Sequence, residues 1–216
     1  MIDVYGRGFL AIAATVFALA SAGPALADSV ADSVKEFSGE QGLNGWTYGY
    51  WDESDDADGK YDQATDFELF ERFGDDSING LSSHSEFTTG ELWYLDDGRY
   101  YTSLWAEGGH AHGDMNLGSY ARADHWVIRR WSSTVDGPIE ISGQAGKVMP
   151  WGQYWSGSTR FMILAGGVTV YDAELEGAGE AYAVSATVEV GTAIDFLIGP
   201  GSAIGVVRFT AALSEP

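Results

Sequence analysis

The chain contains no cysteine, and its 11 lysine and arginine side chains face 32 aspartates and glutamates. Without cysteine there is no disulfide to hold an exported fold, so stability must come from packing, from a metal, or from both. The shortage of basic residues leaves a formal charge of −21. Such a charge repels nucleic acid and anionic membranes. It also disfavours an anionic polysaccharide, unless a local basic patch or a bound cation reverses the sign. No P-loop, paired-glycine dinucleotide motif, nucleophile elbow or zinc-protease helix occurs. Helical periodicity is scarce, and beyond the first 27 residues no apolar run is long enough to span a bilayer.

What is there begins with a leader. Arg7 and the free amine form a positive start, and Gly8 to Ala20 is an apolar run. Ser21-Ala22-Gly23-Pro24 breaks that run before the small-x-small site Ala25-Leu26-Ala27. The pattern is that of a cleaved secretory signal peptide over residues 1–27, with Asp28 as the first mature residue. A spanning anchor would need about 20 apolar residues, and this run is shorter. The expected product is a secreted or periplasmic protein, Asp28 to Pro216, forming one domain of ordinary size. The leader carries one acidic and one basic side chain, Asp3 and Arg7, so its removal leaves the charge unchanged.

Period-2 alternation and short apolar runs dominate the mature chain. They predict strands at Trp46–Trp51, Phe67–Phe70, Leu92–Leu95, Tyr100–Trp105, Trp126–Trp131 and Ile139–Ser142. Further strands are predicted at Arg160–Ala165, Val168–Glu174, Tyr182–Val190, Ala193–Ile198 and Val206–Leu213. Gly166-Gly167 supplies the positive φ of a two-residue hairpin turn. Asp136-Gly137-Pro138 reads as another turn, since Pro138 cannot sit in a central strand. Many short strands with no helices between them predict an all-β jelly-roll sandwich of two antiparallel sheets. Phe209, Ala211 and Leu213 alternate, as do Ile194, Phe196 and Ile198, and these side chains are the expected core. Asp52–Thr65 and Gly74–Gly90 read as loops.

Three blocks carry a resemblance. They are Gln41-Gly42-Leu43-Asn44-Gly45-Trp46-Thr47-Tyr48-Gly49-Tyr50, then Arg129-Arg130-Trp131-Ser132 with Asp136-Gly137, and Gly191-Thr192-Ala193-Ile194-Asp195-Phe196 followed by Arg208-Phe209-Thr210. Together they resemble a group of bacterial secreted jelly-roll modules found beside polysaccharide-degrading domains, similar to carbohydrate-binding and concanavalin-like sandwiches. The resemblance runs from about Phe37 to Leu213. It implies a sandwich fold and a glycan partner, and it brings no established activity. The stretch before the last strand is usually rich in aspartate in that group; here it reads Ser202-Ala203-Ile204-Gly205-Val206.

Eight tryptophans, eleven tyrosines and ten phenylalanines fall largely into clusters. Rings in loops are harder to account for as core than rings in strands. Trp151, Tyr154 and Trp155 lie in a segment of loop composition, and with Trp105 and Arg130 they are the candidate ligand contacts. An aromatic ring offers an apolar face to a sugar, while polar neighbours bind its hydroxyls. Arg129 and Arg130 point to opposite faces of one strand, and the buried one is expected to need a carboxylate partner.

Metal ligation has two candidate places. His110, His112 and Asp114 have the spacing of ligands on an extended strand. Ser54, Asp56, Asp58 and Gly59 occupy the first, third, fifth and sixth places of a calcium loop, but Thr65 stands where its closing glutamate belongs. Asp56 and Asp58 are therefore candidate Ca²⁺ ligands in what otherwise reads as a solvated charge run. The leading expectation is non-catalytic glycan binding. The alternatives are a polysaccharide lyase or glycosidase on the same fold, which needs histidine near Arg129 or Arg130 or two spaced carboxylates, and a surface protein without a small ligand.

Overall fold

The computed structural model describes residues 29–74, 90–95, 100–113, 122–147, 157–177, 179–201 and 205–216. The first strands are β1 (Ser29–Asp32), β2 (Trp46–Asp52), β3 (Glu68–Leu69), β4 (Arg72–Gly74), β5 (Leu92–Tyr94), β6 (Ser103–Trp105) and β7 (Gly108–Ala111). They are followed by β8 (His125–Ser132), β9 (Gly137–Lys147), β10 (Thr159–Ala165), β11 (Val168–Leu175), β12 (Glu180–Val188), β13 (Ala193–Ile198) and β14 (Gly205–Ser214). One sheet runs β12-β9-β14-β7-β6-β5-β4, with β1 added on β14. The other runs β11-β10-β13-β8-β2-β3. Every ladder is antiparallel, and the two sheets face each other as a jelly-roll sandwich, the expected fold.

The alternation of the sequence explains the layers. Ile194, Phe196 and Ile198 of β13 and Phe209, Ala211 and Leu213 of β14 all point inward and are buried. Trp46, Tyr48, Trp131 and Phe161 join them in one core, and Phe196 stacks on Phe209 at 5.9 Å. Each such ring or branched chain contributes about 1.5–3 kcal/mol by leaving water. Gly166 and Gly167 take φ of 56° and 81° in the β10–β11 hairpin, the left-handed pair that the turn demands. Pro138 lies inside β9, opposite Thr187 of β12. It is tolerated because β14 begins its pairing with β9 only at Glu140, so the proline sits where β9 is still an edge.

Both arginines of β8 are held, in different ways. Arg129 is fully buried, and its partners are not carboxylates but the carbonyl oxygens of Ser33, Trp105 and Ala106, at 2.5–3.0 Å. The rings of Phe37, Tyr48 and Phe209 flank the guanidinium. Burial pushes Arg129 down to about 10, so it stays charged at neutral pH. Arg130 faces the other way and pairs with buried Asp195 through two bonds of 2.7 and 2.8 Å.

The Arg130–Asp195 pair anchors the chain between β2 and β3. Tyr61 donates to Asp195 at 2.7 Å, and the Gln63 carbonyl accepts from Arg130 at 2.7 Å. Gln63 Oε1 also accepts from the Gly167 amide. The expected loop of Asp52–Thr65 is thus a strap, folded over a second apolar cluster of Trp51, Trp126, Ile128, Leu164 and Leu197 on the outer face of the six-stranded sheet.

Candidate functional site

The chain passes from one sheet to the other between β3 and β4. Leu69 pairs with Gly49 of β2, and only Phe70 and Glu71 separate it from Arg72, which pairs with Tyr94 of β5. Gln41 fastens this crossing. Its amide nitrogen donates to the carbonyls of Tyr48 (2.8 Å) and Phe70 (3.0 Å), and its oxygen accepts from the Tyr48 amide (2.8 Å). β3 packs closely on β2 at Gly49, where a Cβ would stand 2.1 Å from the Glu68 carbonyl oxygen and 2.7 Å from the Phe67 ring.

A cleft of about 770 Å³ opens at the crossing. Its apolar wall is made by Tyr50, Phe67, Phe70 and Tyr94, with Leu69 and Leu95 beside them. Tyr50, Phe67 and Tyr94 are half-buried and keep part of their rings open, and Leu69 is 50% exposed. Tyr50 stacks on Phe70 at 5.5 Å. Glu68, Glu71 and Arg72 are exposed on the rim. The Tyr50 hydroxyl donates to Glu68 at 2.7 Å. Burial raises the Tyr50 phenol far above its ordinary range, and the charges of Glu68, Asp52 and Glu71 push in the same direction. Apolar ring faces beside a few convergent polar groups are the common composition of a small-ligand site.

Three histidines lie behind this cleft. His112 of the segment after β7 and His125 of β8 exchange backbone hydrogen bonds of 3.1 and 2.7 Å, tying the two sheets together. The His125 ring lies 5.7 Å from Tyr50 and 4.5 Å from Tyr100. Its Nε2 faces Asp52 at 3.2 Å and its Nδ1 faces the Thr102 hydroxyl at 2.8 Å. The order carboxylate–imidazole–hydroxyl is that of a nucleophile triad, with Thr102 and His125 both buried. Burial lowers the His125 pKa, although Asp52 opposes the shift. His110 is buried with neither ring nitrogen hydrogen-bonded, and burial with the nearby His112 pushes its pKa down to about 3.

The residues singled out from sequence are scattered. Trp105 is fully buried between Leu92 and Val206, so it is a core residue and not a ligand contact. Arg130 is engaged by Asp195, Tyr61 and Gln63 under the strap. Asp56 accepts from the Trp51 indole and the Asp58 amide, and Asp58 accepts from the Lys60 amide, so these carboxylates close turns of their own loop. His110 and His112 are buried. Asp114, Trp151, Tyr154 and Trp155 lie outside the described residues, as does the leader. Among the described residues no group of three or more histidine, aspartate or glutamate side chains could hold a metal ion. Arg129 is sunk in the core and Arg130 points to the opposite sheet face from it.

No family model matches the chain, and no curated protein matches it. Solved structures do. The PA14 sugar-binding domain from an RTX adhesin aligns over 79% of this chain and 89% of its own, at 12% identity and a TM-score of 0.35. CBM51 from Clostridium perfringens GH95, in complex with methyl-galactose, aligns over 51% of this chain and 81% of its own, at 12% identity and a TM-score of 0.33. A family 35 carbohydrate binding module from Clostridium thermocellum covers 56% and 85%, at 8% identity and a TM-score of 0.32. Likenesses this distant decide nothing about the ligand of this chain.

Proposed function

We propose that the protein is an exported, non-catalytic glycan-binding sandwich whose site is the cleft between Tyr50 and Tyr94. One observation carries this reading. At the sheet crossing, partly open aromatic faces and exposed charged side chains meet in one concave place large enough for a sugar. A pyranose has an apolar face of C–H groups and an equator of hydroxyls. Tyr50, Phe67 and Tyr94 suit the first, and Glu68, Glu71 and Arg72 suit the second. The leader at residues 1–27 supports export, where glycans are met.

The test is a glycan-array screen of Asp28–Pro216, run with calcium and again with a chelator, then repeated with Tyr94→Ala. Retention on at least one glycan class and a loss of about tenfold in affinity for Tyr94→Ala are expected, as removal of one stacking ring warrants. Retention lost on chelation would return attention to the acidic loop at Asp56 and Asp58. Retention that ignores Tyr94→Ala but falls with Trp151→Ala and Trp155→Ala would move the site to that loop. No retention on any glycan would overturn the reading.

A further inference from the structure

The charge around the cleft narrows the ligand further. We infer that the cleft takes a glycan bearing protonated amines, an amino-sugar polymer, in preference to a neutral or acidic one; this rests on the glycan-binding reading above.

The cleft is an aromatic box with acidic corners. Tyr50, Phe67, Phe70 and Tyr94 line it, and Glu68 and Glu71 stand at its rim. Ring faces attract cations through their quadrupole, and a carboxylate binds an ammonium through a short charge-assisted hydrogen bond. Asp52 stands two residues beyond Tyr50 on the same strand, so both side chains lie on one face. Glu68 reaches the Tyr50 hydroxyl at 2.7 Å, and the charges of Glu68, Asp52 and Glu71 all act on that phenol. Arg72 is the one basic side chain lining the cleft among the described residues, and it is already engaged.

Aromatic rings elsewhere in the molecule, and Phe67 of the cleft itself, hold cations. Phe67 carries the Arg130 guanidinium over one face at 3.9 Å, and Arg129 sits among three rings in the core. A neutral sugar would leave Glu68 and Glu71 with Arg72 as the one basic side chain beside them among the described lining residues. An acidic one would be repelled by them and by a net charge of −21. A polymer with amines on successive residues would be drawn in by the long-range field.

The experiment is calorimetric titration of Asp28–Pro216, in mildly acidic buffer, with three β-linked oligosaccharides of equal length: glucosamine, N-acetylglucosamine and glucose. The glucosamine oligomer is expected to bind at least tenfold more tightly than the other two. That preference should shrink to within threefold in Glu68→Gln/Glu71→Gln, a conservative pair whose circular dichroism checks the fold. Glu140→Gln, which removes one charge from an exposed position on β9, should leave it unchanged. Equal or tighter binding of the acetylated or neutral oligomer overturns the amine preference while leaving glycan binding in place. A preference that falls as much with Glu140→Gln as with the cleft pair also overturns it, because the whole surface would then be the receptor. No binding of any of the three oligomers overturns the amine preference, while glycan binding itself then stands or falls on the array.

Discussion

Residue scale is where this fold meets acid. His110 is buried without a hydrogen bond to either ring nitrogen, and its pKa stands at about 3 against an ordinary 6.5. Above pH 6.5 the imidazole is neutral whether the chain is folded or not, and its packing contributes in full. Below that value the unfolded chain takes up a proton that the folded chain refuses. Stability therefore falls as the pH drops from about 6.5 towards about 3, by about 2 kcal/mol at pH 5 from this residue alone. The lowered pKa of His125 acts in the same direction. Urea unfolding at pH 7 and at pH 5 should show the loss, and His110→Phe should reduce it. A loss of equal size in His110→Phe would place the acid sensitivity on other groups. Arg129 shows the opposite solution to burial: it keeps its charge because three carbonyls and three rings receive it.

At the scale of elements, the cleft depends on β3 lying against β2, and that contact depends on Gly49. An added methyl there would run into the Phe67 ring and into the Glu68 carbonyl, and the carbonyl cannot withdraw without unpairing the strand. Gly49→Ala is expected to cost about 3 kcal/mol and to release β3. Hydrogen exchange at the Phe70 amide, which bonds the Tyr48 carbonyl at 3.0 Å, should accelerate sharply while β13 stays protected. Unchanged protection at Phe70 would mean that β2 and β3 part more easily than this packing implies. The long strands were legible in the sequence, since β2, β8, β10, β13 and β14 alternate and Gly166-Gly167 marks its own hairpin. β1, β4 and β7 were not. Gly108-Gly109-His110-Ala111 has little intrinsic preference for a strand; it becomes one because only glycine fits beneath the Val207 carbonyl at 2.1 Å and against Leu104, Val127 and Ile198. The cleft was hidden for a similar reason. Tyr50 and Tyr94 are two among many clustered aromatics in the sequence; their place in the cleft follows from the crossing at Phe70 and Glu71, and that crossing has no local signature. Trp105 misled because density of rings says nothing of which ring the second sheet covers.

The whole chain carries 32 carboxylates and 11 basic groups, so it repels itself. Raising salt from about 0.01 M to about 0.5 M shortens the screening length from about 30 Å to a few ångströms, and the thermal midpoint should rise across that range. A midpoint that stays level or falls would show that local ion pairs such as Arg160–Asp172 outweigh the general repulsion. The topology bears on the order in which the protein can be assembled. β14 stands in the middle of the larger sheet, between β9 on one side and β7 and β1 on the other. The amide of Ala211 reaches back 178 positions to the hydroxyl of Ser33. A ribosome delivers the chain from its first residue, so every earlier strand of that sheet is finished while its central partner is still missing. Until β14 emerges, the described strands of the larger sheet are three unjoined pieces, β12-β9, β7-β6-β5-β4 and β1, so the sheet can close only when synthesis of the chain is nearly over.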